Sequence, residues 1–186
     1  MANSRRGRTF KQQPLNIMDV VDKIKSQGNK LDALFIAMGL FGALRVGEIT
    51  SIRISDVSDD KIQVRKTKVS GKAEKFRYVE KPPLLKEIIE SCKLRKSDNL
   101  LFPSLTTKRR MTNVGANKRL RKLMELPGIT FHALRKTAAR RVYETSDKDI
   151  PVTAAFLGHA NLTSVIYYLG LTQEKVDEAT RNAFAL

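Results

Sequence analysis

Residues 61–81 read KIQVRKTKVSGKAEKFRYVEK, and their period sets the fold class. Ile62 and Val64 alternate with polar neighbours, and a second alternating run covers Phe76 to Val79. Period two marks strands with one buried face. Ser70-Gly71 lies between the runs, which predicts a β-hairpin whose loop is longer than two residues. Pro82 and Pro83 close it, since neither can donate to a ladder.

On both sides of the hairpin the period becomes helical. Upstream, Asn16 with Asp19 marks a helix start, and Ile17, Val20, Val21 and Ile24 recur at helical spacing up to Gly28. A second helix covers Leu31 to about Leu40. A short third one, Val46 to Ile52, follows a break near Gly42. Downstream, Leu84, Leu85, Ile88, Ile89 and Cys92 share one helical face. Leu100-Leu101-Phe102-Pro103 reads as a buried segment or a third short strand. Further helices are expected over 112–125, Thr130 to Tyr143, Pro151 to Leu157, Leu162 to Leu169 and Gln173 to Phe184. The order is helices, hairpin, helices, so the class is α+β, mostly helical, with a small antiparallel sheet.

The 186 residues suit one domain, 15–186. Ahead of it, residues 1–14 carry Arg5, Arg6, Arg8 and Lys11 with no acid and form a basic flexible arm. Hydrophobic residues make up 41% of the chain, which excludes wholesale disorder. Lys plus Arg is 35 against 19 Asp plus Glu, a net charge of +16. A surplus of that size on one domain points to a polyanion, nucleic acid first. Cys92 is the lone cysteine, so neither an intrachain disulfide nor a cysteine-based zinc site can form. The amino terminus has no apolar core, and the longest apolar stretch, Phe35 to Leu44, is too short to span a bilayer. No membrane partner and a cytoplasmic setting are expected.

The positive charge is concentrated in two places. In the hairpin, Lys61, Arg65, Lys66, Lys68, Lys72, Lys75, Arg77 and Lys81 face only Glu74 and Glu80. Residues 108–122 carry Lys108, Arg109, Arg110, Lys118, Arg119, Arg121 and Lys122 with no acid at all. Such a run is either a solvated face or a phosphate contact surface, and seven uncompensated charges favour the second. Arg65, Lys66 and Lys72 are candidate contacts on the hairpin.

The chain has only two histidines, His132 and His159. His132 and Arg135 stand three apart and share a face on a helix. A cationic clamp beside a proton-transfer group suits phosphate chemistry. Ala43-Leu44-Arg45-Val46-Gly47-Glu48-Ile49, His132-Ala133-Leu134-Arg135, Leu157-Gly158-His159 and Tyr168 together resemble the tyrosine recombinase (phage integrase) family. In that family an Arg is followed three residues later by an acid, and a hairpin Lys follows some two dozen residues on. His-x-x-Arg and Leu-Gly-His come next, with a nucleophilic Tyr nine positions after the last His. Tyr168 stands nine after His159, and Lys68 stands 23 after Arg45. The resemblance covers roughly residues 16–186 and is closest to the short members that are little more than a catalytic domain.

The resemblance implies a site-specific recombinase, of prokaryotic or viral setting, that cuts and rejoins double-stranded DNA through a 3′-phosphotyrosyl link. One phosphodiester is exchanged for another, so neither metal nor ATP nor any other cofactor is implied. Arg45 and Arg135 would stabilise the phosphorane with fork geometry that lysine cannot match. Tyr168 would attack phosphorus, with His132 accepting the phenol proton. Lys68, or Lys66 on the same face, would protonate the leaving 5′-oxygen. His159 would bond the phosphate or buttress the site. Glu48 would orient the first motif or form an ordinary helix ion pair. Tyr167 points about 100° away from Tyr168 on a helix. The resemblance further implies a monomer in solution and a tetramer on DNA. A terminal stripe of Val176, Ala179, Ala183 and Leu186 would pack on its own domain or on a neighbouring protomer. Two other readings stay open: a nucleic-acid-binding module without catalysis, and a strand breaker of the type IB topoisomerase kind.

Overall fold

The computed structural model describes residues 14–65, 76–158, 165–166, 169 and 181–182. Three helices come first: α1 (Ile17–Lys25), α2 (Lys30–Leu40) and α3 (Val46–Ser51). A 3-10 turn (Ile54–Asp56) leads into β1 (Lys61–Arg65) and β2 (Phe76–Glu80). Four helices follow: α4 (Pro83–Ser91), α5 (Asn113–Met124), α6 (Phe131–Thr145) and α7 (Ile150–Leu157). The fold is mostly helical with one two-stranded antiparallel sheet, as the periodicity predicts.

Local chemistry sets the helix starts. Asn16, Asn29, Thr112, Thr130 and Asp149 are extended N-cap residues whose side chains accept a first-turn backbone N–H. Helix α2 is apolar on every side, and residues 33–40 are all buried. A helix with no polar face must be surrounded. Accordingly α2 runs through the core and packs against α1, α3, α4, α5 and α6. Phe35 on α2 meets the rings of Phe102 and Phe131 edge-on, at 5.1 and 5.0 Å between centroids.

The hairpin pairs in register from Lys61↔Glu80 to Arg65↔Phe76. Ile62 and Val64 on β1 and Arg77 and Val79 on β2 are buried, so one charged side chain lies on an otherwise apolar face.

Of the two readings of Leu100–Pro103, the buried segment holds: Leu101 and Phe102 lie in the core, and the segment makes only isolated bridges, Arg53↔Leu100 and Pro103↔Arg110. The structure corrects two sequence expectations. Helix α1 stops at Lys25, where the Ser26 N–H reaches back to Asp22 and Ile24, before Gly28 is reached. Helix α6 runs to Thr145, one half-turn past Tyr143. The arm, apart from Pro14, and most of the two helices expected over Leu162 to Leu169 and Gln173 to Phe184 lie outside the described residues. Within those helices, Val165, Ile166, Leu169, Arg181 and Asn182 are helical.

Helices α2 and α6 approach closely at Gly39. A Cβ there would stand 2.7 and 2.8 Å from ring carbons of Phe131 and 2.9 Å from a methyl of Leu134. Overpacking of this kind costs about 1–3 kcal/mol, and alanine's better helix propensity returns about 1 kcal/mol. Gly39→Ala is therefore expected to lower stability in urea unfolding by up to about 2 kcal/mol with an unchanged slope. A more stable variant would contradict this packing.

Candidate active site

After α2 the chain turns through Gly42 and Ala43. Ala43 has φ +45°, in the left-handed region that costs a non-glycine residue about 1 kcal/mol. The turn presents the Ala43 carbonyl to Arg135 on α6. Arg135 is 2% exposed, and its guanidinium donates from Nη1 to the Ala43 carbonyl and from Nη2 to the Leu157 carbonyl at 2.7 Å. One side chain thus fastens the turn before α3 to the last residue of α7.

Arg45 is the N-cap of α3 and Glu48 lies in its first turn. The Glu48 carboxylate accepts the Arg45 backbone N–H at 2.8 Å and its guanidinium Nη1 at 3.0 Å. The first bond caps the helix from within. Glu48 itself is buried, while the Arg45 side chain remains 43% exposed. From the opposite direction Arg77 on β2 donates Nη2 to Glu48 at 3.1 Å and to the Gly42 carbonyl at 3.3 Å. Burial pushes the Glu48 carboxyl up. The charge of Arg77, the Arg45 N–H and the two guanidinium groups outweigh it and hold the carboxyl below the usual glutamate range.

Gly158 ends α7 at φ +63°, and a Cβ on it would lie 2.6 Å from Cδ of Arg77. Left-handed backbone and a close neighbour both require glycine here. His132 stands one turn before Arg135 on the exposed side of α6. Partial desolvation, then the charges of Lys136 and Arg135, lower the pKa of its imidazole from the ordinary histidine value and so favour the neutral form.

Four sequence-predicted residues, Arg45, Glu48, His132 and Arg135, are therefore brought together from α3 and α6. Two guanidinium groups, Arg45 and Arg77, bind the carboxylate of Glu48, and with Arg135 on the neighbouring Ala43 carbonyl these four side chains sum to a net charge of +2. Lys66, Lys68, Lys72, His159 and Tyr168 lie outside the described residues.

The basic segment divides. Arg110 joins the site, donating Nε to the Thr50 hydroxyl at 3.2 Å and Nη2 to the Gly47 carbonyl at 3.1 Å on α3. Lys108, Arg109, Lys118 and Lys122 are exposed. Arg121 is exposed too, with Nε on the Ile129 carbonyl at 3.3 Å. Arg119 does not belong to this row. Its guanidinium grips Asp32 through Nε and Nη2 at 3.2 and 2.6 Å and lies 4.7 Å above the Phe35 ring. It therefore braces α5 on α2 and is withdrawn from any contact surface. Arg65 is half-buried and pairs with Asp56 at 3.7 Å.

Arg77 is the site residue that the sequence reading did not single out. Its signal was present: Arg77 and Val79 are two apart on a strand and so share the buried face. A charge on that face needs a partner inside.

Known proteins share this arrangement of sequence. The chain matches the phage integrase family over residues 8–175. It is 27% identical over 169 residues to the probable integrase/recombinase YoeC of Bacillus subtilis (strain 168), covering 87% of this chain and 91% of that protein. It is 32% identical over 175 residues to the tyrosine recombinase XerA of Pyrococcus horikoshii, covering 89% of this chain and 59% of that one. The chain thus spans nearly all of the first relative and about three-fifths of the second. The fold superposes on a crystal structure of XerA recombinase with a TM-score of 0.72 at 22% identity, over 98% of this chain and 67% of that one. With the match extending over most of its length, the chain belongs to the phage integrase family.

Proposed function

We propose that this protein is a site-specific DNA recombinase that breaks and rejoins double-stranded DNA through a 3′-phosphotyrosyl intermediate on Tyr168. The observation that carries the reading is the cluster itself. Arg45 and Arg77 hold one buried carboxylate, and Arg135 binds the Ala43 carbonyl two residues before Arg45, one helical turn after a histidine whose pKa is lowered. A net-positive, partly buried cluster is complementary to a phosphodiester. It is most complementary to the phosphorane, which carries more negative charge. Family membership and the net charge of +16 support the same substrate.

Each residue then has a task. Arg45, the most exposed of the guanidinium groups in the cluster, meets the non-bridging oxygens, and Arg135 adds its charge one turn from His132. By analogy with arginine fingers, losing such a group lowers the rate about 10³–10⁵-fold, roughly 4–7 kcal/mol. Neutral His132 accepts the phenol proton as Tyr168 bonds to phosphorus and the bond to the 5′-oxygen breaks. Lys68 returns a proton to that oxygen, and His159 bonds the phosphate. The bond broken and the bond made are of one type, so the arginines replace a metal and no ATP is required. Exchange between two duplexes opens four strands. With one nucleophile per chain, four copies complete it, which is the reason for a tetramer on DNA. Exposed Lys108, Arg109, Lys118 and Lys122 hold the flanking backbone.

The test uses a pool of nicked duplexes of random sequence, from which adducts that survive denaturation are recovered. Adducts are expected in excess chelator and with Tyr167→Phe, and are expected to vanish with Tyr168→Phe. Full adduct formation by Tyr168→Phe would refute the assignment.

The pH profile tests the base. Cleavage requires neutral His132, so its rate falls on the acid side as the imidazole protonates. Lysine at 136 is one of the charges that depress that protonation. Lys136→Ala is therefore expected to move the acid limb of the single-turnover rate to higher pH. His132→Gln is expected to lower the rate about 10²–10⁴-fold. An acid limb that stays in place, or moves to lower pH, would remove His132 from the role.

A further inference from the structure

Arg77 has no place in the chemistry proposed above, yet it is the charged residue that the fold takes most trouble to bury on the sheet. It projects from the inward face of β2, where its neighbour two positions on is Val79. Its Nη2 bridges Glu48 and the Gly42 carbonyl, and its aliphatic stem lies where a side chain on Gly158 would be. Its Nε is buried with no hydrogen-bond partner among the described residues. Packed apolar groups in place of both Arg77 and Glu48 would serve stability about as well, because replacing a whole buried ion pair is commonly neutral or stabilising. What an apolar side chain cannot do is hold the Glu48 carboxylate in one orientation.

That orientation matters for Arg45. Glu48 uses Oε1 for the Arg45 guanidinium and Oε2 for both the Arg45 N–H and Arg77. With Oε2 gripped from the sheet side, the carboxylate plane is fixed, and so is the direction in which the half-exposed Arg45 fork points. Given the recombinase reading, we propose that Arg77 is a positioning residue: it clamps Glu48 between the Gly42 turn and Gly158 and thereby aims Arg45 at the scissile phosphate. It also ties the hairpin, which carries Lys66 and Lys68, to the first and third motifs. Three segments far apart in the chain are thus held in one register by a side chain that does not touch DNA.

The experiment is a double-mutant cycle on duplexes recovered from the random nicked pool. Arg77→Met is expected to bind duplex within about threefold of the parent but to cleave about 10²-fold more slowly in single turnover, the scale of an ångström-sized misplacement. Arg45→Lys/Arg77→Met is expected to lose no more than the worse single variant, because Arg77 acts through Arg45. Losses that multiply, or full-rate cleavage by Arg77→Met, would overturn the proposal. Should Arg77→Met fail to fold, the same cycle is run with Arg77→Lys, which keeps a cation beside Glu48 without the fork, and the same outcomes decide. A parent that forms no adduct with any duplex rejects the recombinase reading instead. The clamp is then judged by urea unfolding of Arg77→Met, Glu48→Gln and the double variant. Strong coupling supports it, and additive losses overturn it.

Discussion

The carboxylate of Glu48 lies inside the protein, and a buried charge is tolerated only where donors surround it. That requirement organises the site. The Arg45 N–H and guanidinium come from the start of α3, and Arg77 comes from β2. Satisfying one acid therefore fixes the turn after α2, the first turn of α3 and the depth of the hairpin. Removing a single partner of such a pair typically costs about 3–5 kcal/mol, which makes the arrangement all-or-none. Gly158 follows from it, since the stem of Arg77 takes the space that a side chain would need.

Arg135 makes the second half of the frame. It draws the strained Ala43 turn and the end of α7 onto α6. Partial desolvation first, then the charge of Lys136 and that of Arg135, lower the pKa of His132. Electrostatics and geometry come from the same residues: what holds the motifs together also tunes the base between them. The cluster stays net positive because one carboxylate binds two guanidinium groups and Arg135 adds a third on the adjoining Ala43 turn, and it lies beside a basic segment anchored to α3 through Arg110.

Local signals carried most of the fold. The period-two runs on either side of Ser70-Gly71, the Asn and Thr caps and the apolar run of α2 are short-range features, and among the described residues both strands and the starts of the capped helices appear where they place them. Arg45 and Glu48 were singled out by the family resemblance, and His132 and Arg135 by their spacing of three as well, an interval that puts both members of each pair within one helical turn. What escaped depends on partners distant in sequence. Arg119 reads as one more charge in a basic run. Its inward turn is decided by Asp32 and Phe35 on a helix more than eighty residues away. The role of Arg77 is decided by Glu48 and Gly158, which lie on opposite sides of it in the chain. Leu100–Pro103 left two readings open, and only the tertiary structure decides between them: Leu101 and Phe102 are buried with no ladder beside them.

The central claim is that this cluster, and not the basic row alone, receives the scissile phosphate. The most direct measurement is a crystal structure of the Tyr168→Phe protein bound to a duplex that the parent selects. The account predicts one backbone phosphate against Arg45 and His132, with Glu48, Arg77 and the Ala43 turn unmoved. A duplex lying along α5 with no phosphate at the cluster would contradict it.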